Sequence, residues 1–246
     1  RELLTDEIGK TRDRRFYGLV RKYQMLIDGS VISVKTCEDI RSIYNDLVLK
    51  EIANENKNNL PDGEIFRKNK VNIVSDSQKV IHTGLSPESR IIEAMTMAIN
   101  ILNDTKYNYL IRTAVFHYMF GYIHPFYDGN GRCSRFISSY LLSTYLKSIV
   151  PLGLSYTIKQ NITGYYKMFK IVNDPKNRGD ITPFVTWFLE ILQKTLNYLF
   201  QRIESKKNKL FFYSKKIEEL AGDRGSVGDI SIILLQNTLF AEQRLN

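Results

Sequence analysis

Apolar residues recur at helical spacing along most of the chain. Ile40, Ile43, Tyr44, Leu47 and Val48 fall on one face of a first helix. Residues 54–63 are polar and turn-rich and read as a loop. One hairpin follows: Val71, Ile73 and Val80, Ile81 flank the polar turn Ser75-Asp76-Ser77-Gln78. Ser86-Pro87 then marks a helix start, with proline at the first helical position. That helix carries Ile91, Ile92, Met95, Ala98, Ile99 and Leu102. A very apolar helix over 109–122 reads as buried on most sides. A loop, 124–130, joins it to a helix over 131–146. Two more helices are predicted at 161–172 and 182–200, the second opened by Thr182-Pro183.

After Ser205 the character changes. Residues 206–209 read as a linker or an exposed helix end. Ile217 to Ala221 and Ile230 to Phe240, on either side of Gly222-Asp223-Arg224-Gly225, begin a small helical module. The pattern therefore predicts a mainly α fold with one small β-hairpin. It falls into an N-terminal helical segment (1–62), a central domain of hairpin and helical core (63–205) and a C-terminal helical extension (206–246).

Composition narrows the class. The 246 residues are 43% hydrophobic and 25% charged, as in a globular protein with a sizeable core. No apolar run approaches a membrane span, so no membrane partner is expected. The two cysteines, Cys37 and Cys133, lie far apart in no metal-like spacing and fit a reducing compartment. With no secretory leader in view, the expected location is the cytoplasm, although the chain opens on Arg1 rather than Met. A net charge of +9 and a pI near 9.4 favour anionic partners. The basic runs at 12–15 and 206–209 lack a base-reading pattern, so nucleic acid is not strongly indicated.

The chemistry gathers in His124-Pro125-Phe126-Tyr127-Asp128-Gly129-Asn130-Gly131-Arg132-Cys133-Ser134-Arg135. Two glycines flank Asn130 at a helix start, where free amides and the helix dipole favour phosphate. Arg132 and Arg135 are three apart and share a helix face, ready to bind further phosphate oxygens. Asp128 precedes the glycines, and a lone carboxylate beside phosphates suits Mg²⁺. An imidazole at His124 can take a proton from an attacking hydroxyl. Base, metal ligand, anion nest and cations in one loop are the parts that phosphoryl or nucleotidyl transfer needs.

This segment resembles the signature of Fic-domain proteins, His-Pro-Phe-x-(Asp/Glu)-Gly-Asn-Gly-Arg-x-x-Arg, and fits every fixed position. The resemblance covers residues 63–190 and implies a Fic-type helical bundle whose hairpin is a flap. It implies a protein adenylyltransferase that moves AMP from ATP to a Ser, Thr or Tyr hydroxyl of a target protein and releases pyrophosphate. Carried over, His124 is the base, Phe126 anchors the loop and Asp128 holds Mg²⁺. Gly129, Asn130 and Gly131 cradle the α- and β-phosphates, Arg132 supports them, and Arg135 pairs with the γ-phosphate. Cys133 and Ser134 fall within this nucleotide-binding stretch; Cys133 itself reads as a small packing residue. Related Doc toxins, which act as kinases, carry Lys in place of Gly131. Phosphocholine-transferring relatives carry Ala in place of Gly129. Both glycines point to AMP transfer.

The flap places Lys79, Val80, Ile81 and His82 over target and nucleotide. Tyr165, Tyr166 and Asn173 resemble adenosine-side residues, a ring to stack and an amide to bond the base edge. His117 reads as a core histidine. An inhibitory helix of the family has the pattern (Ser/Thr)-x-x-x-Glu-(Gly/Asn). Thr238 to Gln243, with Glu242, fits all but the last position, and Ser214 to Glu219 fits equally poorly. Both read more simply as surface helix. An inhibitor in cis or in a separate chain, and a homo-oligomer, stay open. The competing functions are a nucleotide- or DNA-binding regulatory adaptor and a Doc-like kinase.

Overall fold

The structure, a computed structural model, describes residues 17–74, 80–146, 149–221 and 225–240. Helix α1 (Tyr17–Ile27) opens it. Its apolar pattern is diluted by lysine and arginine, and long-range contacts hold it. The Tyr23 hydroxyl lies 3.1 Å from that of Ser155, and its ring stands edge-on to Phe136 at 5.5 Å. Helix α2 (Cys37–Tyr44) starts at a capping box: the Thr36 hydroxyl accepts the Asp39 amide, and the Asp39 carboxylate accepts the Thr36 amide. It continues through a wider π turn, Asn45–Leu49, into α3 (Lys50–Glu55). Ile40, Ile43, Tyr44, Leu47 and Val48 are all buried, as their spacing predicts.

The hairpin pairs β1 (Asn72–Val74) with β2 (Val80–Thr83) antiparallel, Asn72 opposite Thr83 and Ile73 opposite His82, with a register shift before Val74. The turn between them, with Lys79, lies outside the described residues. Helix α4 (Glu88–Asn103) starts one residue later than the sequence pattern predicts, because Pro87 is an extended cap. Glu88 accepts the amides of Glu64, Ile65 and Phe66 and so clamps the loop that leads to the hairpin. Burial alone would raise its carboxyl; these bonds outweigh that and lower it.

Helix α5 (Tyr109–Ile123) packs between α4 and α6 (Asn130–Ser143). Phe116, His117 and Phe120 are wholly buried on it. Helix α7 (Ile149–Gln160) packs on α6 and is absent from the sequence expectation. Pro151 sits in its first turn, where a missing amide leaves no helical bond unmade. Helix α8 (Ile162–Val172) follows. Its Tyr165 and Phe169 meet Phe184 and Trp187 of α9 (Thr182–Ala221) in an aromatic cluster around His117.

Two compact units are present, residues 1–193 and 194–246. Helix α9 passes residue 205 without a break. The second unit also contains α10 (Gly225–Phe240). Among the described residues no helix is long and apolar enough to cross a membrane.

Candidate active site

The last turn of a helix leaves carbonyls without internal partners. At the end of α5 each one is used. Phe120 O takes the His124 amide at 2.9 Å, and Tyr122 O lies 2.6 Å from Nε2 of His82. Ile123 O takes the Leu85 amide at 3.1 Å, and His124 O takes Nε of Arg67 at 2.9 Å. Gly121 O lies 3.4 Å from Nδ1 of His124. A carbonyl only accepts, so Nδ1 carries the hydrogen and Nε2 is the bare nitrogen. His124 itself is left-handed, φ 53° and ψ 62°, an uncommon state for a residue with a side chain. Burial pushes its pKa down to about 4; the Gly121 carbonyl and Asp128 oppose this, while Arg67 and His82 reinforce it. The imidazole is therefore neutral at pH 7.

The loop after His124 closes on itself. Asn130 Oδ1 accepts the Phe126 amide at 3.0 Å, and its Nδ2 donates to the Phe126 carbonyl at 2.7 Å. Phe126 is fully buried and stacks on Tyr44 at 3.7 Å. Gly129, φ 80°, caps α6. A Cβ there would come within 2.9 Å of Val48 and 3.1 Å of Ile52 and Tyr44. Glycine is thus needed for both backbone and space.

The structure separates the two arginines that the three-residue spacing groups together. Arg132 turns to the buried Glu51, at 2.7 Å, and to Asp128, at 3.6 Å. Arg135 lines a cavity of about 140 Å³ in the first compact unit. No carboxylate of that unit pairs with it among the described residues. Asn130, Gly131, Ser134 and His124 line the same cavity, so the α6 start and the imidazole share one space. From the hairpin, Ile73 and His82 close one side; Tyr165, Tyr166, Ile162 and Phe169 close another.

Other expected residues stand apart from it. Asp128 and Gly129 precede α6. Cys133 is fully buried, which pushes its thiol far up. Val80 is exposed, and Ile81 contributes backbone to β2. Asn173 does not line the cavity. Its Oδ1 accepts the Tyr118 hydroxyl at 2.7 Å, and its Nδ2 donates to Nδ1 of His82 at 3.5 Å. The amide expected to read a base edge thus joins α5 to the hairpin. Tyr165 offers its ring, since its hydroxyl lies 3.2 Å from Nε2 of His117. His117 Nδ1 meets the Ser138 hydroxyl at 2.8 Å, and burial lowers its pKa to about 3. It is a satisfied core histidine.

Two residues escape sequence reasoning. Arg67 is one basic residue among neighbours of the same charge, and Glu51 lies far from the loop in sequence. Nothing in a single sequence marks either as a partner of the motif. Among the described residues no group of three or more His, Cys, Asp and Glu side chains forms a metal site. Asp128 is half-exposed beside the α6 start, 3.6 Å from Arg132.

Residues 35–142 match the family model described as "Fic/DOC family". The chain is 30% identical over 138 residues to the protein adenylyltransferases Fic of Drosophila sechellia and Drosophila melanogaster, which covers 55% of this chain and 25% of theirs. Over 86 residues it is 40% identical to that of Drosophila grimshawi, covering 34% of this chain and 16% of the relative. The chain thus spans about a quarter of the length of the first two relatives. In fold it resembles a Fic family protein of Desulfovibrio desulfuricans G20, with TM-score 0.61 and 22% identity, over 79% of this chain and 55% of the other. A Fic-domain signaling protein of Bacteroides thetaiotaomicron gives TM-score 0.51 and 18% identity, over 77% and 74%.

Proposed function

We propose that this chain, which carries a Fic-family domain, is a protein adenylyltransferase that moves AMP from ATP to a Ser, Thr or Tyr hydroxyl of a target protein. One observation carries the reading. A neutral His124 with its hydrogen on Nδ1, the start of α6 and Arg135, which no carboxylate of its unit pairs with among the described residues, line one cavity. In the proposed reaction His124 takes the hydroxyl proton at Nε2. The oxygen bonds to the α-phosphorus, the bond to the β-phosphate bridge breaks, and pyrophosphate leaves. First-turn amides of α6 hold phosphate oxygens, and Arg135 pairs with the γ-phosphate. Asp128 would hold Mg²⁺, which supplies charge neutralisation for the leaving group.

Gly131 supports the triphosphate tail in this direction. A Cβ there would come 2.9 Å from Nη1 of Arg135, so a longer side chain displaces the guanidinium. The two-stranded hairpin offers an edge to which an extended target can add a strand, bringing its hydroxyl toward His124. An inhibitory carboxylate would act at Arg135, whether from a separate chain or from Glu242, which lies outside the described residues.

Incubation with α-labelled ATP, Mg²⁺ and a cell lysate tests the reading. The expected result is label in protein with the wild type and none with His124→Ala. Nucleotide binding without transfer would make the chain an adaptor instead.

A further inference from the structure

Arg67 is completely buried, and the acceptors around its guanidinium are backbone carbonyls. Nε donates to His124 O at 2.9 Å, and Nη2 to Leu85 O at 2.8 Å and Ile123 O at 3.4 Å. Nη1 donates to Asn69 O at 2.5 Å. Those carbonyls belong to three places. Asn69 and Leu85 are the two feet of the hairpin, just before β1 and just after β2. Ile123 and His124 are the end of α5. The Arg67 amide also donates to Pro125 O at 3.3 Å, so backbone and side chain grip the same turn.

We propose that Arg67 is a positioning residue, which sets the His124 imidazole and the flap in one fixed register. This rests on the adenylyltransferase reading. A buried guanidinium is costly to desolvate, and an apolar side chain would fill the same space more cheaply. What an apolar side chain cannot do is hold four carbonyls of two elements on one rigid planar fork. Removing it frees the left-handed turn at His124 and both hairpin feet together. Gly84 supplies the clearance. A Cβ there would lie 2.4 Å from Nη2 of Arg67 and 3.0 Å from Cβ of His124. Its amide donates to Val71 O at 3.0 Å, which extends the hairpin to this point.

Two variants test this, Arg67→Met and Gly84→Ala; the second keeps the arginine but pushes its guanidinium aside, and it decides if the first does not fold. The chain has three histidines, so ¹⁵N-histidine labelling yields one imidazole pair each for His82, His117 and His124. In either variant the His124 signals should leave their wild-type positions while those of His117 stay. AMP transfer into the same lysate should fall about 100-fold, with the KM for ATP within about threefold of wild type. Unmoved His124 signals, a shift of His117 alongside them, or a fall matched by a rise in KM would overturn the proposal. If the wild type transfers no label, the adenylyltransferase reading fails, and the imidazole signals still decide the role of Arg67.

Discussion

At the scale of single residues the site turns on one imidazole kept neutral by burial. The acid limb of kcat/KM reports the free enzyme, so it should fall near pH 4 rather than near the ordinary histidine value of 6.5. A limb at 6.5 would mean that His124 is solvated. The two motif arginines should behave differently. Arg135→Ala should impair ATP use and leave the melting temperature close to wild type, because Arg135 lines the cavity and, among the described residues, no carboxylate of its unit grips it. Arg132→Ala removes a 2.7 Å ion pair to a buried carboxylate. It should cost about 1–3 kcal/mol in urea denaturation. Equal loss of stability in both variants would contradict the separation. Phe126→Ala, which empties the stack on Tyr44, should cost about 3–5 kcal/mol.

Among the elements, the start of α6 matters most, because it aims amides and Arg135 at the same space. Gly129→Ala strains a φ of 80° and drives a methyl into Val48, Ile52 and Tyr44. Backbone strain of about 1–3 kcal/mol and a displaced helix start should abolish transfer, while far-ultraviolet circular dichroism stays helical. Much of this layer is legible in the sequence. The α5 run, the loop and the hairpin declare themselves through apolar density, glycine spacing and alternation. Helix α7 does not, because a proline fits a helix only in its first turn, and it is the fold that puts Pro151 there. Helix α1 depends on Tyr23 meeting Phe136 and Ser155, contacts that no local pattern encodes. The motif residues were legible as types. Their directions were not: spacing joins Arg132 with Arg135, and distant Glu51 pulls them apart. Asn173 looks free in sequence, and only the fold brings Tyr118 and His82 to its two ends.

For the whole molecule, buried neutral histidines tie stability to pH. Burial pushes the pKa of His117 down to about 3 and that of His124 down to about 4 in the folded chain, against 6.5 as ordinary histidines. Between those values the unfolded chain binds more protons, so stability falls as pH drops below 6.5. The urea midpoint should be lower at pH 5 than at pH 7, and His117→Gln should shrink that difference. The net charge of +9 agrees with a polyanionic substrate without selecting one. Under the proposed function, what would select it is the order of groups in the cavity, where the bare His124 nitrogen would face the α-phosphorus and Arg135 would take the far end of the triphosphate. Incubating the wild type in parallel with α-labelled and γ-labelled ATP measures that order. Label entering protein from the α position alone is the predicted result. Label entering from the γ position would mean that the nucleotide lies reversed and the chain is a kinase.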